Sequence, residues 1–439
     1  MAVVQEGEEP AWRERATRLG QSMKIVDIIT SIGLSGSVYK DLPAIKAGAI
    51  PDGPLLYKGE PVTPGFTKIV QPGRTVSIQL VLEDGTVACG DCAEVILVGI
   101  AGREPMFVPE KLVEIIEGPI AKALVGRDAS RFRSAAEEFD RFEVSGKRIH
   151  PALRYGLSQA LLDAAALSRR MTATEVIADE YGLTPRDSRL PILAGALRLD
   201  WAQHDRMILK RADVLPHTPF LSVRDHVGEK GELLVDYMTR LIGRIGDVGE
   251  PDYRPTIHID LYGTLGEAFS NDTNVISEFV ARLGELASPY RLLVESPVIG
   301  RTQQEQIDIY GAVQAGLKAL GSNVRLVIDE WANTLDDIKA LHAAGVLTNV
   351  QLKTPDLGSV TNTIEALNFC RANGIDACLG GSANETDLSA RITAHVGLAC
   401  GAAMMSTKPG QGGDEGWMIL VNEMERTLAR IRARRRAGG

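Results

Sequence analysis

Three short apolar segments, each ending on a carboxylate, decide the fold: TIHID at residues 256–260, RLLVE at residues 291–295 and VRLVID at residues 324–329. The terminal carboxylates belong to Asp260, Glu295 and Asp329. They follow one another at intervals of roughly 35 residues, which is the length of one strand–helix unit. When parallel strands alternate with helices, the carboxyl ends of the strands meet at one edge of the sheet. The pattern therefore predicts that the three carboxylates lie side by side.

Apolar strands of this kind recur on both sides of the three segments. Five further candidates complete a set of eight: LPILA from Leu190, ADVLPH from Ala212, NVQLK from Asn349, IDACLG from Ile375 and AMMS from Ala403. Amphipathic helices fill the gaps, with capping residues at Thr302 and Thr334. Eight such units predict a (β/α)8 barrel over residues 186–410. A doubly wound sheet is the alternative, but LPILAGALRLD lacks its glycine-rich phosphate turn.

The residues before the barrel have a different pattern. Strand-like MKIVDIITSIG begins at Met23, and a hairpin is predicted around Glu83-Asp84-Gly85-Thr86. Helices follow, including one with a buried stripe from Leu157 and one that starts at the Thr172/Glu175 capping box. These signals predict an α+β domain over residues 23–185.

Two terminal segments complete the predicted organisation. Residues 1–22 are polar and charged, and we interpret them as an extension without the apolar run of a signal peptide. Residues 411–439 follow the last barrel strand, and we expect them to pack back on the α+β domain.

Composition narrows the class of protein. The chain has 439 residues, of which 44 % are hydrophobic, and this supply is ample for a large core. Its formal net charge of −9 argues against a nucleic-acid partner. It has no apolar run long enough to span a membrane. Five sparse cysteines are typical of reduced thiols, so we expect a cytoplasmic protein.

Three adjacent carboxylates require an explanation, because they would repel one another and resist ionising together. Each acid alone could cap the helix after its strand. Three in successive units instead favour a divalent cation, and oxygen ligands with room for water and substrate favour Mg²⁺ or Mn²⁺ over zinc. The predicted metal ligands are Asp260, Glu295 and Asp329.

Three further polar side chains end neighbouring strands. Gln351 and Lys353 alternate onto the same face of NVQLK, so both are expected at the barrel mouth. Lys353 is a candidate base, because a nearby cation lowers a lysine pKa; the alternative is an ion pair with a carboxylate. His217 ends ADVLPH on the opposite side of the mouth; it is either a second base or a satisfied core histidine.

These parts describe one reaction class. A divalent cation holds a substrate carboxylate, while a lysine or histidine removes the proton from the adjacent carbon. The metal stabilises the charge that develops on the aci-carboxylate oxygens, and a leaving group departs from the next carbon.

The segments that contain these candidate residues are also similar to the sequences of a known family. The matching segments are MKIVDI, LVLEDG, GDCAEV, RYGLSQALLDA, ADVLPH, HIDLYGT, IDEWANT, VQLKTPDLG, GGSANET and KPGQGGDEGWMI. They extend from Met23 to about Glu425, and they resemble the methylaspartate ammonia-lyase family of the enolase superfamily. The resemblance implies an enolase-like fold, with an N-terminal α+β capping domain followed by a (β/α)8 barrel.

The resemblance also implies a reaction and partners. It implies reversible elimination of ammonia from L-threo-3-methylaspartate to mesaconate, by a homodimer that uses Mg²⁺ and is assisted by K⁺. The substrate is a small amino-dicarboxylate, and neither nucleic acid nor a membrane is an implied partner.

Residue roles follow from the matching positions. Lys353 would be the base for the (2S,3S) substrate, and His217 would serve the opposite face or give electrostatic support. Gln351 would hold one substrate carboxylate. Ser382 and Ala383, in the GGSANET turn, would offer donors to the other.

The sequence departs from the family pattern where substrate would be held. Small residues replace larger family residues in several of these positions: Gly195, Cys378, Ser382, Ala383 and Ser406. Ser296 stands where the family has glycine. These departures predict a roomier pocket. Two alternatives therefore stay open: the same elimination on a bulkier 3- or N-substituted aspartate or a hydroxy acid, and a scaffold without catalysis.

Overall fold

The computed structural model describes residues 23–53, 55–410 and 413–438. The predicted extension, residues 1–22, lies outside the described residues. Within the described residues, no helix is both long and apolar enough to cross a membrane.

The N-terminal domain is built on an antiparallel sheet of three strands in the order β1-β4-β5. Its strands and those of two small hairpins are β1 Ile25–Lys40, β2 Ile50–Asp52, β3 Leu56–Lys58, β4 Val70–Leu82, β5 Val87–Cys92, β6 Glu143–Val144 and β7 Lys147–Arg148. The predicted hairpin is confirmed, since Val81 pairs with Val87 across the turn. Gly85 in this turn has φ +83°, a left-handed conformation that glycine adopts without a steric penalty.

Helices of the same domain accompany this sheet. They are α1 Leu42–Lys46, α2 Pro109–Ile115, α3 Ala121–Leu124, α4 Phe132–Asp140, α5 Pro151–Arg169 and α6 Ala173–Tyr181, with a π-helical turn, Ile116–Ile120, between α2 and α3. Helix α5 buries the predicted stripe from Leu157 to Ala165 against the sheet. Helix α6 begins with the predicted capping box between Thr172 and Glu175.

The second domain is a parallel barrel of eight strands in the order β12-β11-β10-β9-β8-β15-β14-β13. The strands are β8 Ile192–Gly195, β9 Val214–His217, β10 Thr256–Asp260, β11 Leu292–Glu295, β12 Arg325–Val327, β13 Asn349–Leu352, β14 Asp376–Leu379 and β15 Met404–Ser406. A single bridge between Ile328 and Val350 joins the two ends of the sheet. All eight predicted strands are therefore present, and the barrel prediction is confirmed.

Helices surround the barrel and extend beyond it. They are α7 Trp201–Leu209, α8 Glu232–Val248, α9 Thr264–Ala268, α10 Thr273–Ala287, α11 Gln303–Ala319, α12 Leu335–Ala343, α13 Thr354–Leu357, α14 Val360–Ala372, α15 Asp387–Cys400 and α16 Glu415–Gly438, with a π-helical turn at Val223–Val227. Helix α16 packs along α15, and the side chain of Arg434 in α16 reaches Glu175 and the carbonyl of Arg170 in the N-terminal domain.

Two strands end earlier than the sequence pattern indicates. Strand β12 ends at Val327, so Asp329 lies two residues beyond it, and Lys353 lies one residue beyond β13. Where the barrel closes, β12 and β13 are joined by the bridge between Ile328 and Val350. Beyond this bridge, both segments leave the sheet. Both side chains thus lie on the segments that leave the strands.

Candidate active site

The carboxyl ends of strands β10, β11 and β12 bring the three predicted metal ligands to one buried place. Asp260 is the last residue of β10, Glu295 is the last residue of β11, and Asp329 follows β12. Each is at most 2 % exposed. Three buried carboxylates at one barrel mouth are unstable without compensating positive charge.

Two of these carboxylates lie together with His217 in an arrangement that could hold a cation. Ligand atoms of His217, Asp260 and Glu295 all lie within 4.8 Å of one another. Asp260 Oδ2 and Glu295 Oε1 are buried without a hydrogen-bond partner, which is costly unless something else satisfies them. A divalent cation fits this donor set, because it would meet both orphaned oxygens at once.

Asp329 has a different environment in the structure. Its Oδ2 lies 3.0 Å from Lys353 Nζ, and its Oδ1 lies 3.5 Å from Arg103 Nη2. Arg103 Nε also donates to Asp356 across 2.7 Å. Asp329 is therefore paired with cationic side chains and does not belong to the group of ligand atoms that share the 4.8 Å spacing.

The pKa values of the carboxylates reflect this crowding. Burial, and then repulsion from Glu295 and other acids, raise the pKa of Asp260 well above its usual range. Burial is the largest influence on the pKa of Glu295 and acts to raise it, but the hydrogen bond from His258 and the attraction of His258, His217 and Lys353 together outweigh burial and lower that pKa. His258 Nε2 lies 2.6 Å from Glu295 Oε2. Charge at this site is thus concentrated on Glu295, and a cation would relieve the repulsion at Asp260.

Lys353 occupies the position predicted for a base. It caps the short helix α13 and lies in the ion pair with Asp329, which was the alternative interpretation of this residue. Burial acts to lower its pKa, but attraction to Asp329, Glu295 and Asp260 is stronger and raises it. Neutralisation of those carboxylates would remove the cause of the increase and favour the amine that can accept a proton.

His217 lies across the cavity mouth from the lysine strand, at the end of β9. Its Nε2 lies 3.4 Å from Asp260 Oδ2 but makes no hydrogen bond. Burial lowers its pKa to about 4, so the ring is neutral at neutral pH. A neutral imidazole can either accept a proton or bind a cation.

Gln351 and the turn after β14 complete the predicted set. Gln351 Nε2 donates to Glu295 Oε2 across 3.1 Å, while its Oε1 has no partner. Ser382 and Ala383 line the same cavity as Gln351 and Lys353. The structure therefore brings together all the substrate-binding and base candidates.

Most of the predicted departures also reach this cavity. Gly195 and Ser406 line it, and the apolar residues 95–97 also contribute to its wall. Cys378 does not line it; the side chain packs inside the barrel with Leu193 and Val214. Its effect on substrate is therefore indirect.

Three polar residues at the site were missed by the sequence analysis. His258 could have been found, because it precedes Asp260 by two residues and so shares its face of the strand. Glu330 lines the cavity and accepts a hydrogen bond from the Ser296 hydroxyl. Arg103 comes from a loop of the N-terminal domain, and nothing in its sequence neighbourhood indicates where that loop docks.

The two domains and the carboxylates at the barrel mouth define the class: an enolase-like barrel enzyme with an N-terminal capping domain. Likeness to muconate lactonizing enzyme from Pseudomonas fluorescens, at 18 % identity over 86 % of this chain and 85 % of that one with a TM-score of 0.59, supports the fold alone.

The family is more specific. The protein-family model for the methylaspartate ammonia-lyase N-terminus matches residues 23–182. The family model for the C-terminus matches residues 184–433. Methylaspartate ammonia-lyase 1 of Carboxydothermus hydrogenoformans is 47 % identical over 93 % of this chain and 97 % of its own length. The chain belongs to the methylaspartate ammonia-lyase family, and it is an ammonia-lyase.

Two solved structures are similar over nearly the whole chain. One is the Mg complex of β-methylaspartase from Clostridium tetanomorphum, with 43 % identity, coverage of 94 % of this chain and 100 % of that one, and a TM-score of 0.86. The other is methylaspartate ammonia lyase of Citrobacter amalonaticus containing (2S,3S)-3-methylaspartic acid, with 42 % identity, coverage of 93 % and 100 %, and a TM-score of 0.89.

Proposed function

We propose that this chain catalyses the reversible elimination of ammonia from L-threo-3-methylaspartate to give mesaconate. The observation that carries the proposal is a cavity lined by Lys353, His217 and Gln351. Two of these side chains also reach the buried carboxylates with unpartnered oxygens, since His217 Nε2 lies 3.4 Å from Asp260 Oδ2 and Gln351 Nε2 lies 3.1 Å from Glu295 Oε2. The relative from C. amalonaticus contains (2S,3S)-3-methylaspartic acid, which supports this substrate class.

The proposed cofactor is Mg²⁺, with Mn²⁺ as a substitute, and its proposed ligands are Asp260, Glu295 and Asp329. The relative from C. tetanomorphum is an Mg complex, which supports this choice. When bound, Mg²⁺ would supply positive charge against the negative charge that develops on the substrate carboxylate. Asp329 would have to exchange part of its pairing with Lys353 for the ion. K⁺ is proposed as an activator from the family resemblance.

The chain's own residues divide the remaining work. Lys353, in its neutral form, would accept the C3 proton of the (2S,3S) substrate, and breaking the C2–N bond would then release ammonia. His217 would serve the opposite face of the substrate. Gln351 would hold one carboxylate, and the turn at Ser382 and Ala383 would hold the other. We also propose a cytoplasmic homodimer.

The proposal is tested by mixing the protein with L-threo-3-methylaspartate and following the ultraviolet absorbance of the unsaturated product. We expect absorbance and free ammonia to rise together with Mg²⁺, and both to stop after exhaustive chelation. Full activity after chelation would contradict the metal assignment, and no product under any condition would contradict the substrate.

A second candidate substrate is supported by the shape of the cavity. Gly195 and Ser406 contribute little volume to its wall, and residues 95–97 add apolar side chains to the lining. Space of this kind accommodates a larger apolar substituent at C3 or on the nitrogen. We therefore propose that bulkier 3- or N-substituted aspartates are also substrates, and the panel described in the Discussion tests this.

A further inference from the structure

A fully buried ion pair lies directly behind the cavity without lining it. Lys408 Nζ is 3.0 Å from Glu385 Oε2, and both side chains have no exposed surface. Lys408 belongs to the KPGQGG segment after β15, and Glu385 belongs to the GGSANET segment after β14. Neither residue has a role in the reaction as proposed above.

The Glu385 carboxylate binds several segments of the barrel mouth at once. Its Oε2 accepts a hydrogen bond from the backbone N–H of Ser382 across 2.7 Å. Its Oε1 accepts from the hydroxyl of Thr354 across 3.2 Å and from the hydroxyl of Tyr155. Lys408 Nζ also lies 3.4 Å from the Thr354 hydroxyl. One carboxylate therefore holds the candidate substrate turn, the residue after the candidate base, and helix α5 of the N-terminal domain.

The backbone is shaped to admit this pair. Gly381 has φ +84°, and a Cβ at this position would overlap Glu385 Oε2 and Lys408 Nζ. Glycine thus lets the turn pass close over the ion pair while the turn itself lines the cavity. The close contact between this turn and the Glu385–Lys408 ion pair therefore depends on glycine at position 381.

We propose that Glu385, neutralised by Lys408, is a positioning residue that fixes the Ser382 turn and the Lys353–Thr354 segment relative to each other. This inference rests on the proposed function, because it assigns the pair to the geometry of that reaction. Displacing a reacting group by about 1 Å can cost about 100-fold in rate, so an anchor shared by both segments has a direct effect on turnover.

A double variant separates positioning from stability. Removing one member of a buried ion pair leaves an unpaired charge and is strongly destabilising, whereas replacing both members is often neutral. We expect Lys408→Met alone to lower the melting temperature, and Lys408→Met/Glu385→Gln to recover it. The Ser382 N–H and the Thr354 hydroxyl donate to different oxygens of Glu385. Glutamine replaces one of these oxygens by an NH2 donor, so one of the two bonds can no longer form with its present direction. The double variant should therefore fold like the wild type but lose about 100-fold in kcat.

A milder variant tests only the contact between Glu385 and the Lys353–Thr354 segment. Thr354→Val keeps the shape of the side chain and removes only its hydroxyl hydrogen bonds. We expect kcat to fall while KM stays near the wild-type value, because the turn that would hold substrate keeps its bond to Glu385. A purely structural role would not produce this split between kcat and KM.

The control is a partly exposed ion pair at the other end of the barrel, between Arg189 and Asp213, whose side chains are 34 % and 30 % exposed. Asp213 accepts from Arg189 across 2.7 Å and from the backbone N–H of Ile192 across 3.1 Å, at the start of β8. Arg189→Met/Asp213→Asn should leave kcat unchanged.

Ammonia release from 3-methylaspartate is measured for all variants, with melting temperatures by calorimetry. A folded Lys408→Met/Glu385→Gln variant with wild-type kcat would overturn the positioning role while leaving the proposed function intact. An inactive wild type would overturn the proposed function and this inference with it.

Discussion

Glu295 has two carboxylate oxygens in different environments. Oε2 accepts from His258 and Gln351, whereas Oε1 is buried without a partner. We predict that Glu295→Gln weakens Mg²⁺ binding by at least about 10-fold, since changing even an outer-shell partner of a metal ligand costs that much. Isothermal titration with Mg²⁺ measures the loss, and melting in chelator checks that the barrel remains folded. Glu110→Gln, at an exposed carboxylate, should bind like the wild type, and equal affinity in both variants would contradict the assignment.

Lys353 and His217 should act on opposite faces of the substrate, because they lie at the ends of β13 and β9 on different sides of the cavity. Lys353→Ala should abolish deuterium exchange at C3 of (2S,3S)-3-methylaspartate. His217→Ala should mainly impair the epimer that presents its C3 proton to the other face. The measurement is exchange in D₂O followed by NMR. Equal losses for both epimers in both variants would show that the division is wrong.

The sequence could predict that these side chains reach the barrel mouth, because each stands at or within two residues of a strand end, where period-2 alternation indicates its direction. It could not show that Asp329 pairs with Lys353 while His217 joins the other two acids. The contacts of Asp329 depend on where β12 ends and on Arg103, a residue of the N-terminal domain.

At the scale of elements, strands β8 and β15 end on the small residues Gly195 and Ser406, which line the cavity together. We predict that a series of 3-alkyl and N-alkyl aspartates is accepted more broadly by the wild type than by Gly195→Gln/Ser406→Leu. The larger side chains would fill the space that a bulky substituent needs. The measurement is kcat/KM across the series for each single variant and the pair.

The matched control for this series is Cys378→Ser, whose side chain lies inside the barrel rather than on the cavity wall. It should leave the order of substrates unchanged. A sharp preference for methylaspartate in the wild type, unaltered by either substitution, would mean that other residues fill the space.

Elements with strong local signals could be predicted from the sequence. The β4–β5 hairpin has its Asp-Gly turn, and α6 and α12 have capping boxes at Thr172 and Thr334. The network around Glu385 could not be predicted, because it joins residues far apart in the chain whose local sequence gives no sign of contact.

At the scale of the whole molecule, Arg103 joins the capping domain to the barrel. Its side chain is 3 % exposed and contacts both Asp329 and Asp356. We predict that Arg103→Leu lowers the free energy of unfolding by about 3–5 kcal/mol, because it removes the cation paired with Asp356 and leaves Asp329 paired with Lys353 alone. Arg301→Leu, which breaks an exposed pair with Glu305, should cost about 1 kcal/mol or less. Urea denaturation compares the two, and equal losses would contradict the role of Arg103.

The central claim is that this barrel uses a cation and Lys353 to remove the C3 proton of methylaspartate and release ammonia. The most direct test is NMR of (2S,3S)-3-methylaspartate with the wild type and with Lys353→Ala, each with Mg²⁺ and with chelator. The account predicts mesaconate and equimolar ammonia only for the wild type with Mg²⁺. Mesaconate formation that persists in chelator, or at the wild-type rate in Lys353→Ala, would contradict it.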